Sequence, residues 1–196
     1  AHLEEAQDDA GVNFGQEIKT IDQYGMFLKS SVPLGPSEGV SLHFPDRRND
    51  HEMEISAIIG RECKNVSLEE AMDYVVAWTI GLDMTVRGTE ERSLRKAIDS
   101  YSVLGPWLVT ADEVPDPDNL EFSIHVGDEE RQKSNTNMLV YDTARLIEWT
   151  SSYYTLYPGD VIMTGTPEGV GPVAPGDVMH CYAEHIGRMD VPVRAA

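Results

Sequence analysis

The feature that most constrains this chain is a single aspartate inside an apolar run. Residues 75–86 read VVAWTIGLDMTV, apolar or β-branched almost throughout except for Asp83. Such a run is what a strand covered on both faces requires. A carboxylate left unpaired in that setting carries a heavy desolvation penalty, so the fold must bring Asp83 a partner. Upstream, HEMEISAII at 51–59 reads as a second β-branched strand with Glu52 and Glu54 two residues apart. Side chains alternate along a strand, so these two carboxylates point the same way. Three carboxylates are hard oxygen donors that suit Mg²⁺, Mn²⁺ or Ca²⁺ better than zinc, and they leave octahedral positions for water and substrate. Spacing alone also admits Glu52 and Glu54 on the solvent face of an amphipathic strand. Buried Asp83 is the observation that favours a metal.

The remaining pattern is strand-rich. Residues 24–40 alternate short apolar pieces with Pro33, Gly35, Pro36 and Gly39, as strands joined by turns do. Ser67-Leu68-Glu69-Glu70 has the form of a capping box and predicts a helix from about Ser67. A strand is expected at 121–126 (EFSIHV), a hairpin turn at Gly127-Asp128, a helix near 141–153 and a strand in DVIMTG at 160–165. The runs at 75–86 and 160–164 should cross the core. Composition places the chain in the α+β class.

With 196 residues, 41% of them hydrophobic, the chain can bury one sizeable core. A formal charge of −19, from 34 acidic against 15 basic residues, argues against nucleic acid, whose phosphates need clustered cations. No run approaches the roughly 18 apolar residues of a spanning helix, so a membrane is not an expected partner. Cys63 and Cys181 lack any short spacing that would suggest a zinc knuckle or a disulfide framework, and a reduced, cytoplasmic setting is expected. His43, His125, His180 and His185 have no spacing that pairs them and read as non-catalytic. Residues 1–17 look like a short lid segment that is helical around His2 to Asp9, and the start at Ala1 suggests that the natural chain extends upstream.

Several ordered motifs together resemble a known family. They are HEMEISAIIG (51–60), DMTVRG (83–88), RKAID (95–99), LGPWLVTADE (104–113), RQKSNT (131–136) and PGDVIMTGTPEGVG (158–171). Nearly the whole chain resembles the catalytic C-terminal domain of the fumarylacetoacetate hydrolase (FAH) family, with its acylpyruvate hydrolases and 2-hydroxyhepta-2,4-diene-1,7-dioate isomerases. The resemblance implies a mixed β-roll with a few peripheral helices, a lid over 1–17 followed by a catalytic domain over 18–196, and a homodimer. SVLGPWLV at 102–109 is an apolar segment that could serve the interface.

The same resemblance implies roles residue by residue. Glu52, Glu54 and Asp83 become ligands of Mg²⁺ or Mn²⁺, with Ca²⁺ also compatible. Lys96 matches a lysine beside the substrate carbonyl, where a cation stabilises a developing enolate. Thr166 in the TGTP turn would meet the substrate carboxylate, Glu90 would line the substrate, and Arg87 would either line it too or form a structural salt bridge within the site wall. Gln132 and Asn135 would sit at the hairpin or the site edge, and His51 beside the ligands. His2-x-x-Glu5 matches a lid pair in which His activates water and Glu fixes its tautomer. Two departures bear on substrate identity: the stretch from Asp83 to Lys96 is shorter than in many relatives, and Glu90 stands where a glutamine is often found.

These expectations converge on a small-molecule 2-keto acid, which can chelate such an ion through its carboxylate and keto oxygens and so lose charge from C3. The first reading is C–C bond hydrolysis of an acylpyruvate of the fumarylpyruvate or acetylpyruvate type, within aromatic catabolism. The second is decarboxylation or isomerisation of a 2-oxo-dicarboxylate. Rivals from other classes are a calcium-stabilised β-domain without catalysis and a lidless binding module.

Overall fold

The computed structural model describes residues 25–196. The lid segment and its His2 and Glu5 lie outside the described residues. Twelve strands and two α-helices are described: β1 Val40–Leu42, β2 Asn49–His51, β3 Met53–Ile59, β4 Val75–Asp83, β5 Thr85–Val86, β6 Ser102–Thr110, β7 Glu121–Val126, β8 Glu129–Asn135, β9 Val161–Met163, β10 Gly171–Pro172, β11 Val178–Ala183, β12 Gly187–Ala195, α1 Arg92–Lys96 and α2 Thr143–Tyr153. They form three sheets, in the orders β1-β12-β11-β7-β8, β10-β2-β5 and β6-β4-β3-β9. This is the strand-rich mixed β architecture that the motifs imply.

Strands β3 and β4 are the spine. All seven residues of β3 are buried, as are all of β4 except Val76. Met53, Ile55, Ala57 and Ile59 line one face of β3, and Trp78, Ile80 and Leu82 supply the matching β4 side chains. The strand carrying Glu54 is therefore not amphipathic, and no solvent face is left for its carboxylate. The β7–β8 hairpin turns at Gly127, whose φ of +57° suits a residue without Cβ. Both cysteines are free and buried. No helix among the described residues is long and apolar enough to cross a membrane.

Several sequence expectations are corrected. The capping contact at Ser67 forms, with its Oγ 3.0 Å from Glu70 Oε2, yet only a 3-10 turn at Ala71–Tyr74 follows it. The β-branched pair Val75-Val76 begins the spine strand before a helix can propagate beyond its nucleus. The strand expected over 75–86 breaks at Met84, and β5 leaves the sheet to pair with β2. HEMEISAII breaks likewise at Glu52, between β2 and β3. The strand expected over 160–164 is a three-residue edge strand beside β3 rather than a core crossing. In the described part of 24–40, Leu34 makes one isolated bridge to Val103 and Pro36–Glu38 forms a 3-10 turn. Two prolines there cannot donate to a ladder.

Gly169 fixes how the loop after β9 lies on β8. It has φ +87°, and a Cβ there would sit 2.0 Å from the main-chain oxygen of Arg131. Both the strain and the clash fall on backbone, which cannot swing aside. Gly169→Ala is expected to lower unfolding stability by about 2 kcal/mol or more in urea titrations. A variant as stable as the parent would show that this approach does not constrain the loop.

Candidate metal and active site

Register brings the three carboxylates together. Met53 pairs with Leu82 and Glu54 with Gly81 in the antiparallel β3–β4 ladder. Extending that register by one step sets Glu52 opposite Asp83, and the Asp83 N–H donates to the Glu52 carbonyl at 2.8 Å. Cross-strand partners share a face, as do residues two apart, so Glu52, Glu54 and Asp83 project to one side. One oxygen from each lies within 4.8 Å of the others. Gly81 keeps that side open, because a Cβ there would stand 2.5 Å from Ser56 Oγ and 3.0 Å from Met163 Cε.

Cations crowd around the acids. Glu91 caps α1 by accepting from the Ser93 N–H, and the helix delivers Lys96 from its last turn. Lys96 Nζ bridges Glu52 Oε2 at 2.6 Å and Asp83 Oδ2 at 2.8 Å. Burial works to lower the Lys96 pKa, but Asp83 and Glu52 outweigh it and hold the ammonium above its ordinary value. Arg87 donates to Asp50 Oδ2 at 2.6 Å and to Glu52 Oε1 at 3.1 Å. Asp50 also accepts from Arg48 Nε at 2.7 Å, so it anchors two guanidinium groups under the site.

Glu54 is the exception. Its Oε2 accepts from the Gly165 N–H at 2.7 Å, but among the described residues no cationic side chain lies within ion-pair range of it. Burial, then the neighbouring Asp83 and Glu52 charges, push its pKa up to about 8. Three hard donors with one starved of positive charge are what a divalent cation satisfies, so the residues present fit such an ion.

The TGTP turn is tied to the same strand. Thr164 Oγ1 donates to the Ile55 carbonyl at 2.8 Å, and Thr166 Oγ1 donates to the Met53 carbonyl at 2.8 Å. Gln132 knots these pieces: its Oε1 accepts from the Met53 N–H at 3.1 Å, and its Nε2 donates to Thr166 Oγ1 and to the Pro167 carbonyl, each at 2.9 Å. Gln132 Oε1 also lies 3.2 Å from His51 Nδ1. Burial lowers the His51 pKa to about 4, so the ring is neutral and serves as a wall beneath the ligands.

Not every expected site residue joins this group. Glu90 turns outward into a two-pronged pair with Arg47, at 2.9 and 2.8 Å, and touches none of the three carboxylates. Asn135 caps the following 3-10 turn by accepting from Asn137 N. His125, His180 and His185 lie against surface acids at 3.8, 2.7 and 3.8 Å. Sequence reasoning missed Lys29 and Asp50 altogether. Lys29 Nζ lies 2.5 Å from Asp83 Oδ1, and no motif or periodicity around LKSS marks it.

Comparison with known proteins agrees with this geometry. Residues 1–194 match the family described as fumarylacetoacetate (FAA) hydrolase, C-terminal. The chain belongs to that family. It is 50% identical over 197 aligned positions to maleylpyruvate hydrolase of Aquipseudomonas alcaligenes, covering 99% of this chain and 69% of that protein. A maleylpyruvate hydrolase from Sphingobium sp. SYK-6, solved with manganese(II) and pyruvate, superposes with TM-score 0.79 at 44% identity, covering 83% of this chain and 61% of that one. Fumarylpyruvate hydrolase from Pseudomonas aeruginosa, solved with Mn²⁺ and pyruvate, gives TM-score 0.74 at 30% identity over 84% of this chain and 75% of that one. The chain is also similar to oxaloacetate tautomerases, such as the mitochondrial protein of Rattus norvegicus, 39% identical over 81% of this chain and 54% of its own length. The chain thus spans roughly two thirds of the hydrolases and about half of the tautomerase.

The Glu54 carboxyl sets a pH dependence with a definite sign. Its folded pKa of about 8 lies above the ordinary 4.5, so the folded state retains a proton that the unfolded chain releases. Its contribution is full below 4.5 and is lost as pH rises towards 8. In chelator, urea midpoints should therefore fall across this window more steeply for the parent than for Glu54→Gln, and Mn²⁺ should remove the difference. Parallel slopes for parent and variant in chelator would refute the assignment.

Proposed function

We propose that this chain is the catalytic portion of a divalent-metal-dependent hydrolase that cleaves the C–C bond of an acylpyruvate. The convergence of Glu52, Glu54 and Asp83 in a buried cluster, in which Glu54 has no ion-pair partner among the described residues, carries this reading, and the hydrolase relatives solved with Mn²⁺ and pyruvate support it. Glu52, Glu54 and Asp83 would hold Mn²⁺ or Mg²⁺. Bound there, the ion would supply Lewis acidity towards the carboxylate and keto oxygens of a 2-keto acid.

The chain's own residues divide the remaining work. Lys96 places a positive charge where a pyruvate enolate oxygen gathers negative charge, in a site dry enough for that charge to count. The Thr166 turn, fixed by Gln132 and the Met53 carbonyl, orients the substrate carboxylate. Arg87 keeps Glu52 aligned from the wall side. His2 and Glu5 are assigned to activation of the water that attacks the distal carbonyl. The substrate class is a 2,4-diketo acid with a maleyl-like or fumaryl-like acyl group.

The tautomerase relatives favour one second reading, proton transfer at C3 of a 2-oxo-dicarboxylate such as oxaloacetate. That reaction uses the same cluster and Lys96 but needs no attacking water. We further assign the protein to the cytoplasm as a homodimer, with Trp107 and Leu108 of β6, which are exposed, at the subunit contact.

Assays with maleylpyruvate, fumarylpyruvate, acetylpyruvate and oxaloacetate, each with Mn²⁺, Mg²⁺ or chelator, test the proposal. Metal-dependent release of pyruvate is expected from at least one acylpyruvate. Absence of metal-dependent turnover on all four substrates would end both readings. Asp83→Asn should abolish Mn²⁺ uptake in calorimetry, and Lys96→Met should cut kcat by roughly 10²–10³ with Mn²⁺ uptake retained. If Lys96→Met is fully active, Lys96 does not stabilise the enolate.

A further inference from the structure

Residues 25–29 form a strap over the carboxylate cluster. Arg92 Nη2 donates to the Gly25 carbonyl at 3.3 Å, and the Phe27 ring centroid lies 4.6 Å from Arg92 Cζ and 5.2 Å from Lys96 Nζ. The strap ends at Lys29, whose ammonium points into the site. Lys29 Nζ donates to the main-chain carbonyls of Lys96 at 2.5 Å, Tyr101 at 2.8 Å and Met84 at 3.4 Å. An ammonium has three hydrogens, and three carbonyls take them. Asp83 Oδ1, 2.5 Å from the same nitrogen, receives no well-directed hydrogen bond and is held by charge.

The two lysines around Asp83 are therefore not equivalent. Lys96 is partnered by Glu52 and Asp83, the carboxylates themselves, and can turn towards another anion. Lys29 is locked in a cage of peptide oxygens and has no hydrogen left for a substrate. Its effect must pass through Asp83.

Resting on the reading that the cluster binds a divalent ion, we propose that Lys29 is a positioning residue that holds a fixed positive charge against Asp83 Oδ1. The Asp83 charge would then be partly neutralised before an ion arrives, by Lys29 at Oδ1 and by Lys96 at Oδ2. Two consequences follow from electrostatics. A fixed ammonium beside the ligand repels a dication and weakens its binding. A charge-shared Asp83 carboxylate would also donate less to the ion and leave it more electron-poor. Lys29 thus trades metal affinity for Lewis acidity.

Mn²⁺ calorimetry and water-proton relaxation on parent and Lys29→Gln test the idea, since Gln can still donate to the carbonyl cage but carries no charge. Lys29→Gln is expected to bind Mn²⁺ on the order of tenfold more tightly by both measurements. Its kcat should fall while KM changes little. A merely structural lysine predicts the opposite sign, with weaker metal binding and a lower melting temperature. Equal or weaker Mn²⁺ binding by a folded Lys29→Gln overturns the proposal. Unfolding of both Lys29→Gln and Lys29→Met also overturns it, by making Lys29 a keystone of the fold. If the parent itself takes up no Mn²⁺, the metal reading fails first, and the two failures are distinguishable.

Discussion

Burying three carboxylates on one face of a β-core is the constraint around which this molecule is arranged. Each anion taken out of water costs several kcal/mol unless it is compensated. The fold compensates with Lys96 between Glu52 and Asp83, Arg87 on Glu52, and Lys29 on Asp83. Compensation stops short at Glu54, which among the described residues has one peptide N–H and no ion-pair partner. That shortfall is what supports the proposed metal site: a fully neutralised cluster would have little affinity for a dication, and an uncompensated one would oppose folding.

The β3–β4 ladder makes the convergence a matter of register. A slip of β3 by one residue would turn Glu52 and Glu54 to the opposite face, that of Ile80 and Leu82, and part them from Asp83. The breaks at Glu52 and Met84 belong to the same design. They let β2 and β5 leave the spine and form a second small sheet, which carries Asp50 under the site. Asp50 in turn holds Arg48 and Arg87, so charge compensation continues below the ligands.

Much of this site was legible before any coordinates. Glu52 and Glu54 share a strand face by simple alternation, and Asp83 advertises its need for a partner because everything around it is apolar. Lys96 and Thr166 came from ordered motifs shared with a known family, not from their surroundings. Gln132 was only suspected at the site edge. It lies in EERQKSN, a strand polar at every position, and nothing in that pattern distinguishes the one side chain buried at its centre. The helix expected at Ser67 failed because a local capping signal met a β-branched strand start, and the sheet prevailed.

The sequence by itself determined the chemistry of the three acids, the strand-rich class and the family, since residue type and two-residue periodicity are local properties that a chain carries unfolded. Only the tertiary structure decided which cations face which oxygens. Lys29 lies more than fifty residues from Asp83 in the chain, and Gln132 about eighty from Met53. Such meetings depend on how sheets stack and where strands break, which are set by the packing of the whole core and are written in no single segment.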